Sequence, residues 1–154
     1  MPKMYMLIGV PAAGKSTWIA NQEWAKDMPV LSTDNFVEAE AKRQGKTYSE
    51  VFDAYMPTAV RLMTNQALGC QTNNVDVIWD QTSTTVRSRA KKFKLLPNYE
   101  VIAVVFKTPE KEEHDRRLAS RPGKNIPAHV MKNMIESYEP PTEDEGFKEI
   151  WHAE

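Results

Sequence analysis

Gly9-Val10-Pro11-Ala12-Ala13-Gly14-Lys15-Ser16-Thr17 is a complete G-x-x-x-x-G-K-[ST] string, preceded by the apolar run Met4-Tyr5-Met6-Leu7-Ile8 and followed by Trp18 and Ile19, which open a helical stretch. A strand before and a helix after are the context that a Walker A phosphate-binding loop requires. Gly9 and Gly14 let successive backbone N–H groups turn inward around an anion, and the positive end of the next helix adds to that field. The expected nucleotide-binding positions are Gly9, Pro11, Ala12, Ala13, Gly14, Lys15, Ser16 and Thr17. Lys15 reaches the terminal phosphates, and the Ser16 hydroxyl is a ligand for Mg²⁺. ATP or GTP with Mg²⁺ is therefore the expected cofactor set.

Outward from this loop, apolar runs alternate with helical patterns. Segments 29–32, 75–79 and 100–106 read as strands, the last a near-continuous β-branched run of the kind buried on both faces of a parallel sheet. Segments 35–44, 50–68, 85–96, 109–120 and 126–138 read as helices, and 147–151 as an edge strand. Pro57 either kinks the second of these helices or begins a new one. Phe52, Tyr55, Met56, Ala59 and Met63 recur at helical spacing and are read as a core-packing stripe. Such alternation implies an α/β fold: a parallel sheet with crossover helices, of the P-loop NTPase kind.

The chain has 154 residues, is 41% hydrophobic and carries a net charge of −1. That length fits one domain, 1–154, burying roughly two-thirds of its unfolded surface. No apolar run approaches the roughly 20 residues of a bilayer span. Met1 to Ile8 is too short for a signal peptide and reads as a core strand, so a cytoplasmic protein is expected. The lone Cys70 has no intramolecular disulfide partner, and no Cys/His cluster has zinc spacing. Charge near zero gives no global attraction to polyanions, so any such partner must be held locally.

In open α/β sheets chemistry gathers at the carboxyl ends of the strands. Ser32-Thr33-Asp34-Asn35 follows the second strand, and Asp80-Gln81-Thr82-Ser83 follows the third. Asp34 is then a candidate to accept the proton of an attacking hydroxyl; the alternative is that it caps the next helix. Asp80 is a candidate for the magnesium shell or the substrate side, or a turn former. The polar stretch from His114 through Arg117 and Arg121 to Lys124 has the character of a lid, 114–127, whose arginines close over transferring phosphate; the alternative is a solvated charge run. His114 itself is expected to be exposed; the alternative is that it approaches phosphate. Arg87, Lys91 and Lys94 form a basic helical stripe able to meet backbone phosphates, with Val86, Ala90 and Phe93 as the opposite, core-facing stripe. Solvated cations are the alternative there.

Taken together, G-V-P-A-A-G-K-S-T-W at 9–18, S-T-D at 32–34, D-Q-T at 80–82 and R-L-A-S-R-P-G-K-N-I-P at 117–127 resemble the polynucleotide kinase family of phosphate-loop kinases. The match is closest to the kinase half of its two-domain phage members and to their single-domain relatives. The resemblance covers nearly the whole chain. It implies transfer of the γ-phosphate of ATP to a hydroxyl, most often the 5′-hydroxyl of DNA or RNA, and hence a nucleic-acid partner. It also implies Lys15 and Ser16 at the nucleotide and magnesium, Asp34 as general base, Asp80 and Thr82 in the substrate loop, and Arg121 with Arg117 as lid arginines. Val37 stands where end-phosphorylating members often carry an arginine for the neighbouring phosphate. A different acceptor, such as a hydroxymethylated base, a nucleoside or a metabolite, therefore remains the alternative, as does a non-catalytic nucleotide-binding module.

Overall fold

The computed structural model describes residues 1–153. Among them, β1 (Lys3–Ile8), β2 (Val30–Leu31), β3 (Val77–Asp80), β4 (Glu100–Phe106) and β5 (Glu149–Ala153) form one sheet in the order β2-β3-β1-β4-β5. Every pairing is parallel. The strand run 147–151 is thus shifted by two residues but is the expected edge. β1 and β4 are buried on both faces, because alternate residues feed two different cores. Met4, Met6 and Ile8 pack with Met63, Ala67 and Leu96 on one side. Tyr5 and Leu7 pack with Ala25, Ile102 and Val104 on the other.

The first of these faces is covered by α3 (Tyr48–Thr72) and α4 (Val86–Leu95), while α2 (Thr33–Gln44) packs on α3 through Val37, Ala41, Val51 and Ala59. Among the described residues, the second face is packed by the six-residue α1 (Lys15–Ala20), a short 3-10 turn and flanking loop residues such as Ala13 and Met28, and Trp24 in that turn is 43% exposed. Two further helices, α5 (Lys111–Ala119) and α6 (Ala128–Glu136), lie between β4 and β5 in the chain. α3 starts two residues earlier than the apolar pattern predicts, because Thr47 and Glu50 form a reciprocal capping box. It also runs straight through Pro57, whose missing N–H costs one helical bond in a long helix otherwise anchored on the core.

On α4 the expected core stripe holds at Phe93, which packs on the core beside Phe147, and fails at the other two positions. Val86 and Ala90 are exposed, and Arg89 and Lys92 are buried in their place, with Arg89 fully inaccessible. Arg89 is tolerated there because its guanidinium is fully used: it pairs with Glu145 at 2.8 Å and donates to the Ser83 carbonyl at 2.9 Å. Lys92 lies over the Trp79 ring, 5.6 Å from its centroid. Burial pushes the Lys92 ammonium down to about 8. The unfolded chain keeps that proton up to about 10.4, so between these values it binds more protons than the native state, and stability rises with pH through this window. Lys92→Met is expected to flatten that rise, as read from urea denaturation at a pH below and a pH within the window; Lys15 contributes a similar share that the variant leaves in place.

The phosphate loop meets the sheet at a point with no room for a side chain. A Cβ on Gly9 would lie 2.9 Å from the Phe106 Cβ, and the Gly9 N–H donates to the Thr82 carbonyl at 2.9 Å. Gly9 is therefore required by close approach of β4. Within the loop the left-handed backbone falls at Ala12 (φ 63°) and Gly14 (φ 104°), not at Gly9. Gly9→Ala is expected to destabilise the fold by about 1–3 kcal/mol through overpacking, measurable by chemical denaturation.

Candidate active site

A cleft of about 1950 Å³ opens along the carboxyl ends of β1, β2 and β3, the end predicted for a parallel sheet. It brings together Pro11, Ala12, Ala13, Gly14, Lys15, Ser16 and Thr17 with Asp34, Asp80, Thr82, Arg117 and Arg121. Arg87 and Lys91 are not brought to it: both are exposed on α4 and do not line the cleft.

The Lys15 ammonium folds over its own loop, donating to the carbonyls of Gly9 at 2.6 Å and Val10 at 3.2 Å. Desolvation pushes it down to about 8, against the opposing pull of Asp80 and Asp34 and with a further push from Arg121. Asp80 ends β3 opposite Leu7, two residues before Gly9, and burial raises its carboxyl, with Lys15 acting in the other direction. The loop that follows is tied down on both sides. Gln81 accepts from the Trp79 indole N–H at 3.0 Å and donates to the Thr33 hydroxyl at 3.2 Å, joining β3 to the start of α2.

Asp34 has two sequence readings, base and helix cap, and the geometry separates them. Ser32 is the cap of α2, its hydroxyl accepting from the Asn35 N–H at 3.3 Å. The Asp34 carboxylate is free of that duty and receives the Tyr48 hydroxyl at 2.5 Å on Oδ1. Burial and this bond raise the Tyr48 phenol. Tyr48 escapes the sequence reading, though the Thr47-x-x-Glu50 box, which sets α3 to begin at Tyr48, is a signal that marks it.

The arginine segment splits into an anchored half and a docked half. His114, expected to be exposed, is buried, its Nε2 donating to the Pro11 carbonyl at 2.8 Å. Arg117 donates to the Ala12 carbonyl at 3.2 Å and to Glu113 at 2.9 Å. α5 is thus fastened to the phosphate loop, which is why so polar a helix packs at all. Beyond it, the Ser49 N–H donates to the Gly123 carbonyl and the Asn125 N–H to the Ser49 hydroxyl. Lys124 pairs with Glu38 and lies 4.8 Å from the Tyr48 ring centroid. Gly123 sits at φ +71° against Thr47, a position closed to any side chain. Arg121, between the two halves, lines the cleft with its Nη1 buried and without a hydrogen-bond partner.

The oxygen donors here suit a hard cation: Ser16 at the mouth of the loop and Asp80 across from it, with no cluster of three His, Cys, Asp or Glu among the described residues able to hold a metal without phosphate oxygens. No described helix is long and apolar enough to cross a membrane.

Comparison with solved structures shows the same fold in several kinases. A candidate kinase from Chloroflexus aurantiacus J-10-fl superposes with a TM-score of 0.72 at 18% identity, covering 99% of this chain and 84% of that one. A chain of the Pnkp1/Rnl/Hen1 RNA repair complex gives 0.71 at 23% identity, covering 88% of this chain and 43% of that one. A gluconokinase from Sinorhizobium meliloti 1021 gives 0.57 at 15% identity, covering 98% and 81%. At such identities the likeness is one of fold alone. The family whose pattern matches residues 4–141, from the first strand through the last helix, is the AAA domain, and the chain belongs to that family.

Proposed function

We propose that this single domain is a Mg²⁺-dependent phosphotransferase that moves the γ-phosphoryl group of ATP or GTP to a hydroxyl of a nucleic acid, with a 5′-hydroxyl of DNA or RNA as the leading acceptor. One observation carries the reading: a carboxylate released from helix capping, Asp34, shares a cleft with the phosphate-loop Lys15 and with Arg121, whose buried Nη1 lacks a partner. Asp34 accepts the acceptor's proton as its oxygen bonds to Pγ and the bond from Pγ to the β-phosphate oxygen breaks, releasing the diphosphate. Lys15, Arg117 and Arg121 hold the phosphates, and segment 114–127 serves as the lid. Ser16, with Asp80 beyond it, would hold Mg²⁺, which supplies charge neutralisation on the phosphate oxygens.

A second reading, a hydroxyl without a flanking phosphate, is favoured by Val37. That side chain is wholly buried between α2 and α3, so the position carries no cation toward the cleft, and Arg87 and Lys91 lie outside it. Incubation with γ-labelled ATP and, separately, a 5′-hydroxyl oligonucleotide, a hydroxymethyl-containing duplex and a metabolite panel tests both. Label on the oligonucleotide end supports the first reading, and label resistant to an end-specific phosphatase supports the second. Nucleotide binding without transfer to any acceptor would leave only a binding module.

A further inference from the structure

α3 presents Tyr48, Phe52 and Met56 at successive four-residue steps along the cleft, and α6 presents Val130 and Met134 at the same step along that cleft. Neither stripe contains a cation. The charged neighbour on α3 is Asp53, which also lines the cleft, and Lys124 is already paired with Glu38. Phe52 and Val130 are 37% and 39% exposed and both line the same cleft, so they form a shared apolar surface rather than scattered single residues. The α3 stripe begins at the residue that grips Asp34, so whatever fills the space between the helices ends at the proton acceptor.

Resting on the phosphotransferase reading above, we propose that this is the acceptor subsite and that it grips a nucleobase: an uncharged flat ring on Phe52, with Met56 and Met134 moulded to its edge and face. The acceptor hydroxyl is then carried on that ring or on its sugar. Three features favour a ring over other occupants. Phe52 is held tilted against Tyr48, with centroids 5.5 Å apart, and still exposes over a third of its surface to the cleft, room for a ring to pack on it. Methionine is adaptable and polarisable, suited to ring edges. Phe52, Met56 and Met134 carry no charge, the Lys124 ammonium beside Tyr48 is already paired with Glu38, and Asp53 adds negative charge, which together disfavour a phosphate or sugar-acid carboxylate against Phe52.

The test uses the full chain with Mg-ATP and two 5′-hydroxyl oligonucleotides, identical except that one has an abasic terminal nucleotide, together with a hydroxymethyl-containing oligonucleotide and gluconate. Equilibrium binding of free nucleosides is followed in parallel by saturation transfer from protein to base protons. Phe52→Ala is expected to raise the acceptor KM about tenfold, the scale of one lost base–aromatic stack, with the KM for ATP retained, and Phe52→Tyr to restore it. Saturation transfer to the base is lost in Phe52→Ala and returns in Phe52→Tyr. Circular dichroism checks that the half-exposed substitution leaves the fold intact.

Equal use of the abasic acceptor, preference for gluconate, an acceptor KM insensitive to Phe52→Ala, or no saturation transfer to the nucleosides each overturns the nucleobase subsite while leaving phosphoryl transfer standing. Nucleoside binding that depends on Phe52, with ATP bound but no label moved to any acceptor, upholds the subsite and removes the phosphotransferase reading.

Discussion

Lys15→Ala is expected to lower phosphoryl transfer by about a thousandfold or more, the scale of removing a charged donor from a preorganised, partly dry site. The ammonium is the one cation carried by the phosphate loop itself, and it is already desolvated, so its field at a terminal phosphate is only weakly screened. The same desolvation predicts that the variant folds well. Burying the charged form costs stability in the native protein, and alanine removes that cost together with the pH-dependent gain expected as Lys15 releases its proton above about 8. Loss of transfer in a protein of undiminished denaturation midpoint is the expected pair of results. Retained transfer in Lys15→Ala would mean that the loop does not hold the reacting phosphate.

Asp34→Asn is expected to lower kcat by about 10²–10⁴-fold, the range of a lost general base, while leaving nucleotide affinity close to that of the parent. The substitution is well isolated. Asparagine's carbonyl oxygen still accepts the Tyr48 hydroxyl, and the start of α2 is secured by Ser32, so neither the helix nor the residue's position is lost. What disappears is the ability to take a proton. Labelled transfer for turnover and calorimetry for nucleotide binding separate the two effects. Undiminished turnover would remove Asp34 from the proton-accepting role and leave Asp80, the other carboxylate near Lys15, as the candidate.

Where the sequence misreads this protein, the reason is the same each time: a pattern of residue types is one-dimensional, and partners come from elsewhere. On α4, hydropathy points Val86 and Ala90 inward, but Arg89 goes in because Glu145, 56 positions along the chain, meets it there. His114 sits in a run of charges and is buried because the Pro11 carbonyl, 103 positions away, accepts its N–H. Phe52 reads as core by spacing, yet it is exposed along the cleft, while Met56 packs on the core between α2 and α3 and lines the cleft as well. Tyr48 has no motif of its own, and its bond to Asp34 exists only because α2 and α3 pack against each other.

Local chemistry by itself determined the phosphate loop, the alternation that makes a parallel sheet, and the strand-end positions of Asp34 and Asp80, since each depends on residues close in the chain and on a periodicity of two or 3.6. Tertiary structure alone decided that the Asp34 carboxylate meets the Tyr48 hydroxyl, that Gly9 is required by the approach of Phe106, that the basic stripe of α4 lies away from the cleft, and that apolar residues of α3 line the cleft together with Asp34. These depend on which surfaces meet when distant segments are packed to close density, and packing is a property of the assembled core rather than of any segment within it.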